Sequence, residues 1–561
     1  MKAWISLAIG VSLVMSMQVE AQVRPPASAN PLQNLPRVET PTAPKINTHV
    51  QTRAANPRLA ALLVTPITPS RFDVVGVHAV PFKDVAVLFS RMTGKTVHVS
   101  DVLDAAAKIS TIYQTHGYAL SFGYVPPQDF AKGTVHITVV EGYVADVDIR
   151  GDAGNMTSKI RVIAAHIIRD RPLRQATFER YLQVLGMLPG LHIDANVPAP
   201  TTTDGATHLV LTVKRTRFNA TTGIDFDHPG VQGLTTLTEN GMLPLAEQIG
   251  LSTLLPPGPG HQHLYALTYL QSFGSDGAQL HFNGSHYQGS PNTDNQLPYY
   301  LRQTMHQDQF ALAASYPLLL DNHTNVTATG GAYVTTLDET YTNTITGARL
   351  TQHDGLRVFN GKLDYLKTGG TSLQKINIEI ARGIDGLGAN ANVMTRFGNL
   401  VFVSPVDPTF TRYDATFLQS NVWPHRFGTV FSVTGQYSHN TLPTTEQISF
   451  GGPRYGLAYD PGETVGDRGW GASLEINQRY ELSNRWVRQV TPYVVTQFAR
   501  VYLNVGEPAP AKLGTAGLGV RWTDKHYYAF DLTVAQPIGD KPLGSAHRSP
   551  RVNFTFSYQL R

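Results

Sequence analysis

Cysteine is absent from all 561 residues. That excludes a disulfide framework, a thiolate metal site and a cysteine nucleophile. Charge is scarce as well: Asp, Glu, Lys and Arg make up 15 % of the residues, against about a quarter in an ordinary water-soluble domain. The net charge of +4 comes without a basic block, so nucleic acid is excluded as a partner. No segment beyond the N-terminus reaches roughly eighteen consecutive apolar residues, which excludes a helical membrane protein. Catalytic signatures are missing too. The 20 histidines are scattered without metal-ligand spacing, and Gly260-His261-Gln262-His263 reads as a turn pair. Gly386-Leu387-Gly388 lies outside any βαβ context, no GxxxxGK[ST] phosphate loop occurs, and there is no nucleophile elbow. The sequence therefore implies no enzyme, no metal and no cofactor.

Tyr, Thr, Asn, Gly and Gln, by contrast, are plentiful. A wall that is apolar outside and polar inside accounts for low charge with ordinary apolar content. The N-terminus has the pattern of a secretory signal over residues 1–21: Lys2 as the positive region, Trp4 to Met17 as the apolar core, and Val19-Glu20-Ala21 at the cleavage point. Residues 22–70, with Pro25, Pro26, Pro31, Pro36, Pro41 and Pro44, cannot bury a core and read as an arm or linker, with a pore plug as a further possibility.

From residue 71 the texture changes. A strand at Val74-Val75 is followed by helical spacing over Pro81–Met92 and Val99–His116, closed by Gly117. Strands follow at 120–125 and 134–140, around the turn Pro126-Pro127-Gln128-Asp129. The β-α-α-β-β order then recurs: a strand at 144–149, helices at 158–168 and 177–188, and strands at 190–196 and 208–214. Two consecutive units of this kind, 71–142 and 143–215, are an internal repeat. From 216 to 561 helical periodicity gives way to alternation. Sixteen strands are expected near 217–227, 233–242, 246–255, 263–273, 277–289, 305–319, 324–336, 356–368, 371–384, 409–421, 427–440, 469–481, 491–503, 513–523, 526–537 and 551–560. An even number of strands, each near the ~9–11 residues that cross a membrane when tilted, predicts a transmembrane antiparallel β-barrel.

The run from Tyr113 to Gly142 (YQTHGYALSFGYVPPQ…GTVHITVVEG) resembles the first polypeptide-transport-associated (POTRA) domain of two-partner secretion transporters. The second unit (LQVLGMLPGLHIDANVPAP…THLVLTV) resembles their second POTRA domain. The last strand, with Phe554, Phe556, Tyr558 and Leu560 on one face, resembles a terminal signal for barrel insertion, although it stops on Leu560-Arg561 instead of an aromatic residue. The resemblance implies a monomeric Gram-negative outer-membrane transporter of the haemolysin secretion/activation family, within the superfamily that also holds the BamA insertases. Its implied partners are a secreted exoprotein in extended form, outer-membrane lipid and the barrel-assembly machinery. Capture of the exoprotein by β-augmentation would use the second unit, with Phe178, Tyr181, Leu182, Leu185 and Ile193 as candidate residues. An insertase and a passive porin are the alternatives. More POTRA units would be expected of the first, and none of the second.

Between Phe450 and Trp470 lies a connection of about twenty residues with no element of its own, the length at which loops tend to be functional. Its glycines allow close backbone approach, and it is expected to fold into the lumen. It resembles the inward loop of that superfamily, whose tip reads Val-Arg-Gly-Tyr. Alignment on Tyr459-Asp460-Pro461-Gly462-Glu463 and Gly466-Asp467 places Leu457 where the family has arginine. The aspartate that pairs with that arginine falls on Gln497, and the following glycine on Ala499. Gly451, Gly452, Arg454, Tyr455, Gly456, Leu457, Tyr459 and Asp467 form the expected tip, with Gln497 and Ala499 as its wall partners. Losing both members of a buried ion pair together can be nearly neutral. Packing, Tyr455, Tyr459 and neutral hydrogen bonds to Gln497 would then hold the loop, with Arg454 either a displaced positive contact or a solvated lumen residue.

Overall fold

The computed structural model describes residues 30–36, 48–51, 63–198, 200, 204–226, 230–255, 261–290, 297–395, 401–403, 406–508, 510–543 and 547–560. The expected signal peptide and most of the 22–70 arm lie outside them.

The first unit packs helices Phe82–Ser90 and Val99–Thr115 against a three-stranded sheet. In it Thr134–Val140 pairs in parallel with Arg71–Val75 and antiparallel with Phe122–Tyr124. The apolar spacing of the longer helix puts Val102, Ala106, Ile109 and Tyr113 on one buried stripe, facing Val135, Ile137 and Val139. Glu141 closes the unit, its carboxylate accepting from the Tyr113 hydroxyl at 2.7 Å and from the N–H groups of His78 and Ala79. Burial and this carboxylate hold the Tyr113 phenol well above its usual pKa.

The second unit repeats the plan, with Tyr143–Gly151, helices Thr157–Arg169 and Gln175–Gly186, Leu191–Pro198 and Ala206–Arg215. One feature has no periodicity that could have announced it. Thr48–Gln51, in the Pro-rich arm, forms a parallel edge strand beside Leu191–Pro198, in register Thr48↔Ala195 through Gln51↔Pro198.

The remainder closes into an antiparallel barrel of sixteen strands, running from Phe218–Asp225 to Arg551–Leu560. The alternation seen in the last strand divides as the pleat requires: Val552, Tyr558 and Leu560 are exposed outward while Ser557 and Gln559 are buried inward. The first and last strands pair over six positions, Ala220↔Leu560 to Asp225↔Thr555. On the outside one ring contact crosses that seam, Phe226 5.0 Å from Phe554, and Phe530 of the neighbouring strand lies 4.7 Å from Phe556. Turns at the end carrying the α/β units are short, such as residues 321–323 and 369–371. At the distal end connections are long, including 439–467.

The sixth to eighth strands, Leu301–Leu320, Thr324–Asn343 and Arg349–Thr368, outrun the expected 305–319, 324–336 and 356–368. Their distal parts are polar on both faces, so alternation fades where the ladder continues. The connection expected as an open loop at 385–408 contains the strands Asn390–Thr395 and Val401–Val403, which extend the eighth strand's ladder.

The second unit docks on the proximal turns. Arg180 bonds Asp276 at 3.1 Å and the carbonyl of Pro317 at 3.2 Å. His166 bonds Ser275 at 2.8 Å, and Lys159 donates to the Ser272 carbonyl at 3.0 Å. Burial alone would raise the Asp276 pKa, but hydrogen bonds from Arg180 and Tyr316 outweigh it and hold the pKa below the usual carboxylate value. A depressed carboxylate stabilises docking above its unfolded pKa of about 3.9, and that contribution is lost as pH falls through the lower folded value. Spin labels on the second unit and the barrel rim should therefore show the docked distance from neutral pH to about pH 4 and a broadened distribution below it. Asp276→Asn should show the broadening already at neutral pH.

Candidate functional site

The 439–467 connection leaves the eleventh strand, Phe427–Ser438, and returns to the twelfth, Arg468–Gln478, but between them it turns into the lumen. Inside it forms its own hairpin, Ile448–Phe450 against Thr464–Gly466, with every residue of both short strands buried. Gly451 has φ +128°, and a Cβ there would lie 2.0 Å from the Asp460 carbonyl oxygen. The hairpin can cross itself only because that position is glycine. Gly452 and Gly456 bridge one another next to it. The Tyr455 ring stands T-shaped to Phe450 at 5.8 Å and fills the space beside Gly471 of the wall.

The Leu457 peptide is held from two sides. Its N–H donates to Gln497 Oε1 at 3.0 Å, on the thirteenth strand Gln489–Tyr502, and its carbonyl accepts from Asn553 Nδ2 at 2.8 Å, on the last strand. Ala499 lies in the same small core as Ala458 and Tyr459. The Tyr459 hydroxyl donates to the Asp540 carbonyl at 2.8 Å. Asp467 corrects the expected grouping: it sits at the root of the loop, not its tip. Fully buried there, it accepts from the Leu442 and Asn504 N–H groups at 2.8 and 2.7 Å and from Gln447 at 3.1 Å, which ties the two stems together.

Ion pairs do fasten the loop, with the signs exchanged. Glu446, 2 % exposed, pairs with Arg412 of the tenth strand, Thr411–Val422, and accepts from the Tyr333 hydroxyl at 2.8 Å. Arg412 also meets Asp414 at 2.7 Å and Glu379 at 3.2 Å. Asp460, beside the tip, pairs with Arg551 of the last strand. The acids are on the loop and the bases on the wall. Of these residues the sequence reading used only Asp460, and only as an alignment anchor. A guanidinium at a lumen-facing position of an alternating strand was the signal available for Arg412 and Arg551.

Arg454 donates to Gln33 Oε1 at 2.6 Å, which joins the loop to the N-terminal segment. Residues 30–36 lie in the lumen. Asn30 caps the short helix Pro31–Asn34 and donates to the Thr445 carbonyl at 3.1 Å. Gln33 bonds the Gln447 carbonyl and Ser449 at 3.3 and 3.0 Å, and Leu32 and Leu35 pack toward Leu254, Leu264, Tyr287, Met305 and Leu337 of the opposite wall.

The candidate capture residues require a correction. Phe178, Leu182, Leu185 and Ile193 are core, the first 9 % exposed and the others less, because three- and four-residue spacing on a helix marks its packed stripe and Ile193 lies on the inward face of the alternating strand Leu191–Pro198. Tyr181 stacks on His166 at 4.3 Å, at the barrel contact. Phe554, Phe556, Tyr558 and Leu560 lie on the outer face of the closing strand.

Residues 67–142 match the model of the POTRA domain, ShlB-type, and residues 235–522 match that of the haemolysin secretion/activation proteins ShlB/FhaC/HecB. The heme/hemopexin transporter protein HuxB of Haemophilus influenzae is 21 % identical over 479 residues, covering 81 % of this chain and 80 % of its own. Among solved structures, CdiB from Escherichia coli superposes with a TM-score of 0.66 at 15 % identity, over 93 % of this chain and 94 % of its own. BamA from Haemophilus ducreyi lacking POTRA domains 1–3 gives a TM-score of 0.54 at 14 % identity, over 88 % of this chain and 100 % of its own.

Proposed function

Because this chain belongs to the haemolysin secretion/activation protein family ShlB/FhaC/HecB, an outer-membrane family that secretes large exoproteins, we propose that it exports one such exoprotein, captured in extended form by the POTRA units in the periplasm and passed through the barrel. The observation that carries this reading is the edge of Leu191–Pro198, where the chain's own Thr48–Gln51 is added in parallel. An edge that accepts a foreign strand by backbone pairing alone is suited to cargo of varied sequence. An exoprotein strand replaces Thr48–Gln51 there, and the arm that also carries the lumen segment 30–36 is released with it. The capture surface is thus a backbone edge, not the helix side chains. Folding outside the cell gives the movement its direction.

Assignment to the insertase class would need a seam that opens, whereas the seam here is paired over six positions and carries a ring contact, Phe226 on Phe554. Deleting the chain from its host should remove one large protein from the medium and leave the complement of outer-membrane barrels intact. Loss of many barrel proteins would support the insertase instead, and an unchanged secretome a passive pore. A photo-crosslinking residue at Asn196 of the full-length chain should capture the same secreted protein.

A further inference from the structure

At the extracellular end of the twelfth to fourteenth strands the outer wall carries three cations, Arg468, Arg500 and Lys512. The register sets Arg468 opposite Tyr502 and Trp470 opposite Arg500. Arg500 in turn lies opposite Lys512, the first residue of the strand Lys512–Thr523. All of these side chains alternate with buried lumen residues (Gly469 and Gly471, Ala499 and Val501, Leu513) and so face outward. Two like charges directly opposite each other on one face of a sheet destabilise it, and here a third lies on the next strand. Tyr502 orders the group, its ring centre 4.8 Å from the Arg500 guanidinium carbon and 5.7 Å from that of Arg468. Among the described residues none of the three cations forms an ion pair. The Asp540 carboxylate accepts from the backbone N–H groups of Ala511 and Lys512 at 3.1 and 2.9 Å, capping the turn.

Trp470, level with Arg500, and Leu474 and Phe498 below it on the same face are 44 %, 41 % and 47 % exposed, the aromatic and apolar band that meets lipid. The cations therefore stand at the level of the outer-leaflet headgroups, where guanidinium and phosphate geometries match. We propose that Arg468, Arg500 and Lys512 bind the phosphorylated sugars of lipid A in lipopolysaccharide, with its acyl chains lying along Phe498 and Leu474. The test of this site does not depend on secretion.

The full-length chain in detergent micelles is titrated with lipid A carrying both phosphates, and with the same lipid A after both phosphates are removed. Binding is read by native mass spectrometry. The phosphorylated form should bind at least roughly tenfold more tightly. Arg500→Gln with Lys512→Gln should lose that preference, whereas Lys525→Gln, at a periplasmic turn where the lysine pairs with Glu481 at 3.1 Å, should keep it. A heat-shifted band on unboiled gels shows that each variant is folded. Equal binding of the two lipids, an undiminished preference in the double variant, or complete displacement by inorganic phosphate at equal concentration would overturn the assignment.

Discussion

Arg412→Met should destabilise the folded barrel by about 3–5 kcal/mol, the cost of leaving a buried charge without its partner. It should also raise the single-channel conductance. The guanidinium is the common counter-ion of Glu446, Glu379 and Asp414, and its removal leaves three carboxylates facing one another, one of them fully inside the loop. Glu446→Gln should cost less, since Arg412 keeps two acids and the amide can still accept from the Tyr333 hydroxyl. The double variant should recover part of the loss, because coupled neighbours are not additive. Thermal loss of the unboiled gel band gives the stability order, and planar-bilayer recording gives the conductance. The two readouts are linked through the loop. Thr445, Gln447 and Ser449, on either side of Glu446, hold Asn30 and, with Arg454 of the same loop, Gln33, so a loop freed at Glu446 also frees the segment lodged in the lumen. If Arg412→Met leaves both readouts unchanged, this pair does not hold the loop.

The difference between what could and could not be read from the chain follows from the range of each interaction. Strands such as Arg551–Leu560 announce themselves because each residue's face is decided by its immediate neighbours, with a period of two. The helices of the two N-terminal units show for the same reason, with a period near 3.6. That local spacing equally explains why Phe178, Leu182 and Leu185 look like a groove: it marks a buried stripe without saying what covers it, and here the cover is the unit's own sheet. The family register places Leu457 opposite Gln497, and the 3.0 Å bond between them is found there, although as a peptide contact and not one between side chains. Residues 30–36 and 48–51 carried no such signal. Gln33 meets Arg454 across 421 positions of sequence, and a Pro-rich arm has no period to betray a strand added at a distant sheet edge. Where both faces of a strand carry mostly polar residues, as in the distal parts of Leu301–Leu320 and Arg349–Thr368, alternation fades and the strand outlasts its signature.

The second large effect is expected at the loop tip, from restoring the charges that this chain lacks. Leu457→Arg alone places a guanidinium against Ala499, Val501 and Leu513, facing a neutral Gln497. Gln497→Asp alone puts an uncompensated carboxylate at a position 6 % exposed. Each should cost about 3–5 kcal/mol, whereas the pair together should come within about 1 kcal/mol of the unaltered chain, because each charge then satisfies the other. Gel-shift melting of the four proteins closes the cycle. Simple addition of the two losses would mean that position 457 does not face position 497 as the register requires. Recovery would mean that the superfamily's ion pair and this chain's peptide clamp are alternative solutions to one docking geometry. In this chain the electrostatic part of that geometry has moved outward to Asp460–Arg551 and Glu446–Arg412, with acid and base exchanged between loop and wall. Asp460→Asn added to the recovered double variant should then cost much less than it does in the unaltered chain, since a second ion pair anchors the same tip.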